Sequence, residues 1–208
     1  MATVTISRHF GAGGATLGAR VAKRLGYRYI NDELIKEVAK HVGASVGELV
    51  SLEKKSVKKS RLMSFLEKVV KTDIIERRRH RRLDVQEYVN GIKEVILRYY
   101  NEGNVVIVGR GSNYVLQGKK DVIHVLVVAS KDFRIKFLVE NYGFTEEQAK
   151  RAIERADLIR ESFLYYFSGK EYHDDPMIYT VCLNMDQIPM EKAEQIIVSL
   201  VKEKENER

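Results

Sequence analysis

The sequence predicts a three-layer α/β domain, with helices on both faces of a five-stranded parallel sheet and a helical lobe inserted between two of the strands. A short β-branched run, Thr3 to Ser7, passes directly into a glycine-rich loop and then into apolar residues at helical spacing, Leu17, Val21 and Leu25. Three continuous apolar runs of strand length, Val105 to Val108, Ile123 to Val128 and Tyr179 to Leu183, have the pattern of strands buried on both faces. Strand and helix patterns alternate, as parallel strands with crossover helices require.

The elements follow in order. Tyr27 to Ile30 forms a second strand, and Asn31-Asp32 after it caps a helix carrying Leu34, Ile35, Val38 and Val42. From 44 to 101 no strand pattern appears. Apolar residues recur there at Leu62, Phe65, Leu66 and Val69, then at Val85, Val89, Ile92 and Ile96, so the segment reads as a helical insertion ending in a long returning helix. This divides the chain into an α/β core, 1–43 and 102–208, and a lobe, 44–101. After the fourth strand comes a helix from Lys131 to Asn141. Thr145-Glu146-Glu147-Gln148 matches a capping box and opens the next helix. Pro189 starts the last helix, and Glu203 to Arg208 reads as a frayed tail.

Composition narrows the function classes. The 208 residues are 44% hydrophobic, enough for a sizeable core, and 36 Lys plus Arg against 29 Asp plus Glu give a net charge of +7. The surplus favours anionic partners, phosphates or nucleic acid. With Cys182 alone, neither an intramolecular disulfide nor a zinc site of several thiolates can form. His9, His41, His124 and His173 show no metal-ligand spacing, and Cys182 falls in an apolar strand. The N-terminus does not read as a signal peptide, and the apolar runs fall far short of the roughly 20 residues of a membrane helix. A soluble chain of the cytoplasm is expected.

Three groups of residues suit phosphate chemistry. The turn from Ser7-Arg8 through Gly11-Ala12-Gly13-Gly14-Ala15-Thr16 joins a first strand to a first helix, where backbone N–H groups and the helix N-terminus together favour an anion. It lacks the third glycine of a dinucleotide fingerprint and the Lys of a Walker A loop, and a plain glycine turn is the alternative. Gly109-Arg110-Gly111 follows the third strand, where an Arg can point into the crevice beyond the strand ends or simply sit on the surface. Arg151, Arg155, Asp157 and Arg160 share one helix, in a pattern that serves a transferring phosphoryl group or an ordinary salt-bridged face. The run Arg77 to Arg82 is dense in charge but lacks interleaved aromatic residues, so a solvated helix face is preferred over a nucleic-acid grip.

Taken in order, Ile6-Ser7-Arg8 with Gly11-Ala12-Gly13-Gly14, Leu25-Gly26-Tyr27 with Asn31-Asp32-Glu33-Leu34-Ile35, Val106 to Asn113, Arg155-Ala156-Asp157 with Arg160, and Cys182-Leu183-Asn184 resemble the cytidylate kinase-like family of P-loop nucleoside monophosphate kinases. The resemblance implies a P-loop kinase fold and ATP-dependent, Mg²⁺-dependent phosphoryl transfer to a CMP- or dCMP-like acceptor. Gly11, Ala12, Gly13, Gly14, Ala15 and Thr16 would surround the donor phosphates, with Thr16 near Mg²⁺. Arg110 and Asp32 would meet the acceptor. Arg155 and Arg160 would be arginines of a lid spanning about 143–175, and Asp157 would orient one of them or meet the acceptor. The 44–101 lobe would hold the acceptor. In the family pattern the P-loop Lys stands where this chain has Gly14, the following Ser where it has Ala15, and the first P-loop Gly where it has Arg8. Arg8 or a lid Arg is therefore the candidate replacement cation. The Asp that usually follows Gly-Arg is Gly111. The alternatives are a non-catalytic nucleotide-binding regulator and, below it, a nucleic-acid binder. A second copy of the chain is a further candidate partner, since the insertion's helices can pack on it.

Overall fold

The computed structural model describes residues 1–53, 84–169 and 174–207. Five parallel strands, β1 (Thr3–Arg8), β2 (Arg28–Ile30), β3 (Val105–Val108), β4 (Val122–Val128) and β5 (Val181–Asn184), lie in the order β2-β3-β1-β4-β5. The central strand β1 pairs Thr3 with Val105 on one side and with Val122 on the other. All five carboxyl ends therefore open on one edge of the sheet, and the loops that leave them share one crevice.

Helices close both faces. On one face, α1 (Gly14–Leu25) and α8 (Met190–Asn206) bury Leu17, Val21, Ala193, Ile197 and Val201 against Val4, Ile6, Val106 and Val125. Arg20 and Arg24 both bond the buried Glu194, at 2.6 and 3.2 Å, and fix the two helices together. On the other face lie α2 (Asp32–Val42), α3 (helical over 46–53), α4 (Val85–Glu102) and the short α5 (Ser112–Val115). There Leu34, Val38, Ile92 and Ile96 pack on Ile30, Val105 and Ile107. Helices α2 and α4 meet at Gly91, where an added Cβ would lie 2.6 Å from Val42 Cγ1. Helices α6 (Lys131–Tyr142) and α7 (Glu146–Ser168) pack on each other through Ile135, Leu138, Ala149 and Ile153, and the expected capping box of Thr145 and Gln148 is present. A 3₁₀ turn, Pro176–Ile178, leads into β5. Among the described residues no helix is long and apolar enough to cross a membrane.

Several expectations are corrected. Cys182 is exposed, because β5 is an edge strand with only Leu183 turned fully inward. Pro189 is the cap before the last helix rather than its first residue. The tail is helical to Asn206, held by a 2.7 Å bond from Tyr27 Oη to Glu205. Leu62 to Val69, Arg77 to Arg82 and His173 lie outside the described residues.

A hydrogen-bonded polar pair lies inside the sheet. Thr5 Oγ1 and His124 Nδ1 lie 2.7 Å apart in adjacent central strands. Burial holds the His124 ring below its ordinary value, against the opposing pull of a bond to the Leu116 backbone. A value depressed in the folded chain means that the neutral ring stabilises the fold above the unfolded pKa of about 6.5, and that this contribution is lost as pH falls below it. Urea unfolding is expected to show stability declining from pH 6.5 to 5 in the parent and a flatter profile in His124→Gln. Equal slopes in the two proteins would remove His124 as the source.

Candidate active site

The loop between β1 and α1 is shaped by its glycines. Gly11 and Gly13 have φ of +83° and +81°, a left-handed conformation in which a side chain would be strained. A Cβ on Gly11 would also stand 3.0 Å from the carbonyl oxygen of Arg134. The Ala12 N–H turns back to the His9 carbonyl at 3.2 Å, and Leu17 N–H takes the Gly13 carbonyl at 2.9 Å. Gly13 caps α1 and offers no side chain to it, so the amides of Gly14, Ala15 and Thr16 are left for an outside acceptor. Together with the helix dipole they make a seat for an anion. The Thr16 hydroxyl lies on the first turn, 3.4 Å from Tyr142 Oη.

Arg8 ends β1 and turns across the crevice floor. A Cβ at Gly14 would sit 2.6 Å from Arg8 Cβ and 2.9 Å from its Cγ, and one at Gly109 would coincide with Arg8 Nη1. The side chain thus occupies a trough that two glycines leave open. Burial and the positive charge of Arg160 lower its pKa, with Tyr29 and Asp32 pulling the other way. Among the described residues Arg8 forms no ion pair.

The turn after β3 holds three consecutive left-handed residues: Gly109 at +78°, Arg110 at +57° and Gly111 at +70°. A non-glycine residue there is unusual, and it aims Arg110 into the cleft. Arg110 is ion-paired to Glu53 and donates to Tyr88 Oη at 3.2 Å, while Tyr88 Oη donates to Glu53 Oε1 at 2.5 Å. Burial, aided by the charge of Arg8 and opposed by Asp32, pushes the Arg110 pKa down to about 10.

Arg160, on α7, donates from Nη1 to Asp174 Oδ2 at 2.9 Å and from Nη2 to Asp174 Oδ1 at 2.5 Å, with a further 3.1 Å bond to Ser7 Oγ. Burial lowers its pKa, but the Asp174 bonds and charge prevail and the net shift is upward. For Asp174 burial works the other way, yet the bonds from His9 and Arg160 hold its carboxyl well below the usual carboxylate range. His9 Nε2 reaches Asp174 Oδ2 at 3.3 Å.

Ser7, Arg8, Asp32, Glu53, Arg110 and Arg160 line one cleft of about 260 Å³, closed on the far side by Ile159 and Phe163 of α7. Of the residues singled out from the sequence, the structure brings Arg8, Asp32, Arg110 and Arg160 together here, beside the glycine loop. It does not bring in Arg155, which is exposed on α7. Nor does Asp157 meet Arg155 or Arg160: its Oδ1 receives Arg134 Nη2 at 2.6 Å. Arg134 Nε also donates to the Phe10 carbonyl at 2.6 Å, so this buried residue ties α7 to the glycine loop. Sequence reasoning missed Arg134, Glu53, Tyr88 and Asp174. The only signal was a guanidinium beside Ile135 and Leu138, on what is otherwise the apolar side of α6. Arg134→Ala would leave the Phe10 carbonyl without its donor, and urea unfolding should lose about 2 kcal/mol, limited by solvent screening of the partly exposed Asp157. A change within 0.5 kcal/mol would mean the tie is not structural.

A family model described as the cytidylate kinase-like family matches residues 3–187, a span that includes the glycine loop, the Gly-Arg-Gly turn and α7. The chain belongs to the cytidylate kinase-like family. Solved structures share the fold of this family member. An uncharacterized protein from Eubacterium ventriosum is 19% identical with a TM-score of 0.68, over 97% of this chain and 99% of that one. Shikimate kinase from Bacteroides thetaiotaomicron is 16% identical with a TM-score of 0.53, over 97% and 98%. Shikimate kinase from Acinetobacter baumannii in complex with shikimate is 11% identical with a TM-score of 0.51, over 98% and 94%. No curated protein matches the sequence. The three-layer, five-stranded architecture is thus that of the P-loop kinases. Among the described residues no three His, Cys, Asp or Glu side chains gather as a metal site.

Proposed function

We infer that this chain is a phosphotransferase that moves the γ-phosphoryl group of ATP to a small acceptor in the cleft between the Gly-Arg-Gly turn and α7. The observation that carries this reading is Arg8. In place of a lysine on α1, a guanidinium from the end of β1 lies in the trough left by Gly14 and Gly109, without a carboxylate partner among the described residues and beside the anion seat of the loop. A preorganised cation there neutralises charge on the terminal phosphates as the transfer proceeds. The amides of Gly14 to Thr16 hold the donor phosphates. Mg²⁺, which neutralises phosphate charge when bound, would be held by those phosphates and the Thr16 hydroxyl. Arg160, braced by Asp174 and Ser7, faces the same cleft and stabilises the transferring group. Arg155 remains a lid candidate that α7 must move to engage.

A CMP or dCMP acceptor is the family's expectation, and it needs Arg110 free to take a phosphate. The second reading, a nucleotide-binding regulator without turnover, is favoured by Gly14 in the lysine position. The experiment is transfer of γ-labelled phosphate from ATP with Mg²⁺, with Arg8→Ala as control. Product that disappears in the variant supports the enzyme. ATP bound by both proteins, with turnover in neither, supports the regulator.

A further inference from the structure

The glycine loop is held from outside by one residue of α6. The Phe10 carbonyl takes its hydrogen bond from Arg134 Nε at 2.6 Å. Gly11, the next residue, lies so close to Arg134 that an added Cβ would stand 3.0 Å from the Arg134 carbonyl oxygen and 3.2 Å from its Cβ. The peptide unit between Phe10 and Gly11 is thus bonded to the side chain of Arg134 and rests on its main chain. That unit sets the entry to Gly13, whose left-handed turn leads into the Gly14 to Thr16 amides of the anion seat. The same buried guanidinium donates from Nη2 to Asp157 Oδ1 at 2.6 Å. Asp157 stands on α7 between Arg155 and Arg160, so one side chain spans from the donor loop to the helix that bears both arginines. The α6 and α7 residues that pack on each other, Ile135, Leu138, Ala149 and Ile153, form a cluster separate from the two cores flanking the sheet. This part of the helix pair can therefore shift without opening either core.

We propose that Arg134 is a positioning residue that couples the donor loop to α7 through Asp157. This rests on the reading of the loop as a donor-phosphate site. Phosphates in the anion seat fix the loop, the Phe10 carbonyl then fixes the Arg134 guanidinium, and the guanidinium fixes Asp157 and the turn of α7 around it. The linkage is reciprocal, so the hold that Asp157 keeps on Arg134 also sets how well the loop binds phosphates. Asp157 is partly exposed, which limits the pair to an effect of a few fold. Arg134 acts through the loop and not on the ligand.

The sign of one effect separates this coupling from simple electrostatics. Asp157→Ala removes a negative charge, which by charge alone should tighten the binding of a phosphate ligand. The coupling predicts the reverse, a dissociation constant raised about threefold to fivefold. Arg134→Lys keeps the positive charge, but an ammonium lacks the fork that reaches Phe10 and Asp157 together, and binding should weaken about tenfold. The double variant should bind no worse than Arg134→Lys, because both changes break the same connection. The measurement is calorimetric titration of the full chain with MgATP and, separately, with magnesium tripolyphosphate, which carries phosphates without a nucleoside. Titrations are run well below the melting temperature of each variant. Equal losses with the two ligands support the coupling. Losses with ATP alone mean that Arg134 touches the nucleoside, and they overturn it. So do additive losses, tighter binding in Asp157→Ala, or lowered melting temperatures with unmoved dissociation constants, the mark of a purely structural tie. A parent that binds both ligands, with variants like it, sinks this proposal and leaves the donor site standing. A parent that binds neither sinks both.

Discussion

Arg8→Ala is expected to lower kcat for phosphoryl transfer by about 10²- to 10³-fold, equivalent to about 3–4 kcal/mol of transition-state stabilisation. The chain's melting temperature should fall little. These two outcomes belong together for one reason. Arg8 is a desolvated cation held near a second cation, Arg160, with no ion-pair partner among the described residues. Burial and Arg160 together outweigh the attraction of Tyr29 and Asp32, so its charge is a net cost to folding, and removing it relieves that cost while emptying the trough between Gly14 and Gly109. What it stabilises is a ligand's charge. A structural arginine would show the opposite split, with a large fall in stability and activity lost only in proportion to unfolded protein. An unchanged kcat in a folded Arg8→Ala protein would take Arg8 out of the mechanism.

Gly14→Lys, which puts a Walker-type lysine at the start of α1, is expected to damage the protein. The new Cβ would lie 2.6 Å from Arg8 Cβ, and the new ammonium would enter a site that already holds a guanidinium. Overpacking plus like-charge burial should cost about 3 kcal/mol or more in urea unfolding. Arg8→Gly/Gly14→Lys moves the same charge from the strand end to the helix start. Its stability should return to within about 1 kcal/mol of the parent, so the double-mutant cycle should show a coupling of about 2 kcal/mol or more. Gly14→Lys alone at parental stability would show that the two positions do not compete for space.

The fold was largely legible because its signals are local. Val105 to Val108 and Ile123 to Val128 read as strands buried on both faces and lie beside β1 in the sheet. Gly11 and Gly13 read as a loop, and both have the positive φ that makes glycine necessary. Thr145 and Gln148 close their capping box in the backbone. Burial at the margins was less legible, because an apolar run does not state whether it sits at the sheet's centre or its edge. Cys182, in β5, is exposed for that reason. The cleft was legible in its cations and in Asp32. Arg8, Arg110 and Arg160 stand beside glycines or on a patterned helix, where sequence marks them. Their carboxylates are chosen by tertiary contact: Glu53 comes from the charged lobe, and Asp174 from a polar loop with no pattern. Arg134 pairs with Asp157 across 23 positions, and that distance in sequence hides which arginine the carboxylate serves.

The seam between α2 and α4 has a consequence for how the molecule can change. Gly43 and Asp84 border the same surface recess. The close contact of Gly91 with Val42 secures the two helices beside it. Helix α3 follows Gly43, buries Leu49 in the same core and ends its described course at Glu53, the partner of Arg110. The glycine loop and Arg8 are carried by β1 and α1 instead. A change along this seam therefore reaches Arg110 through one helix and leaves the anion seat as it was, so the two halves of the cleft can vary separately.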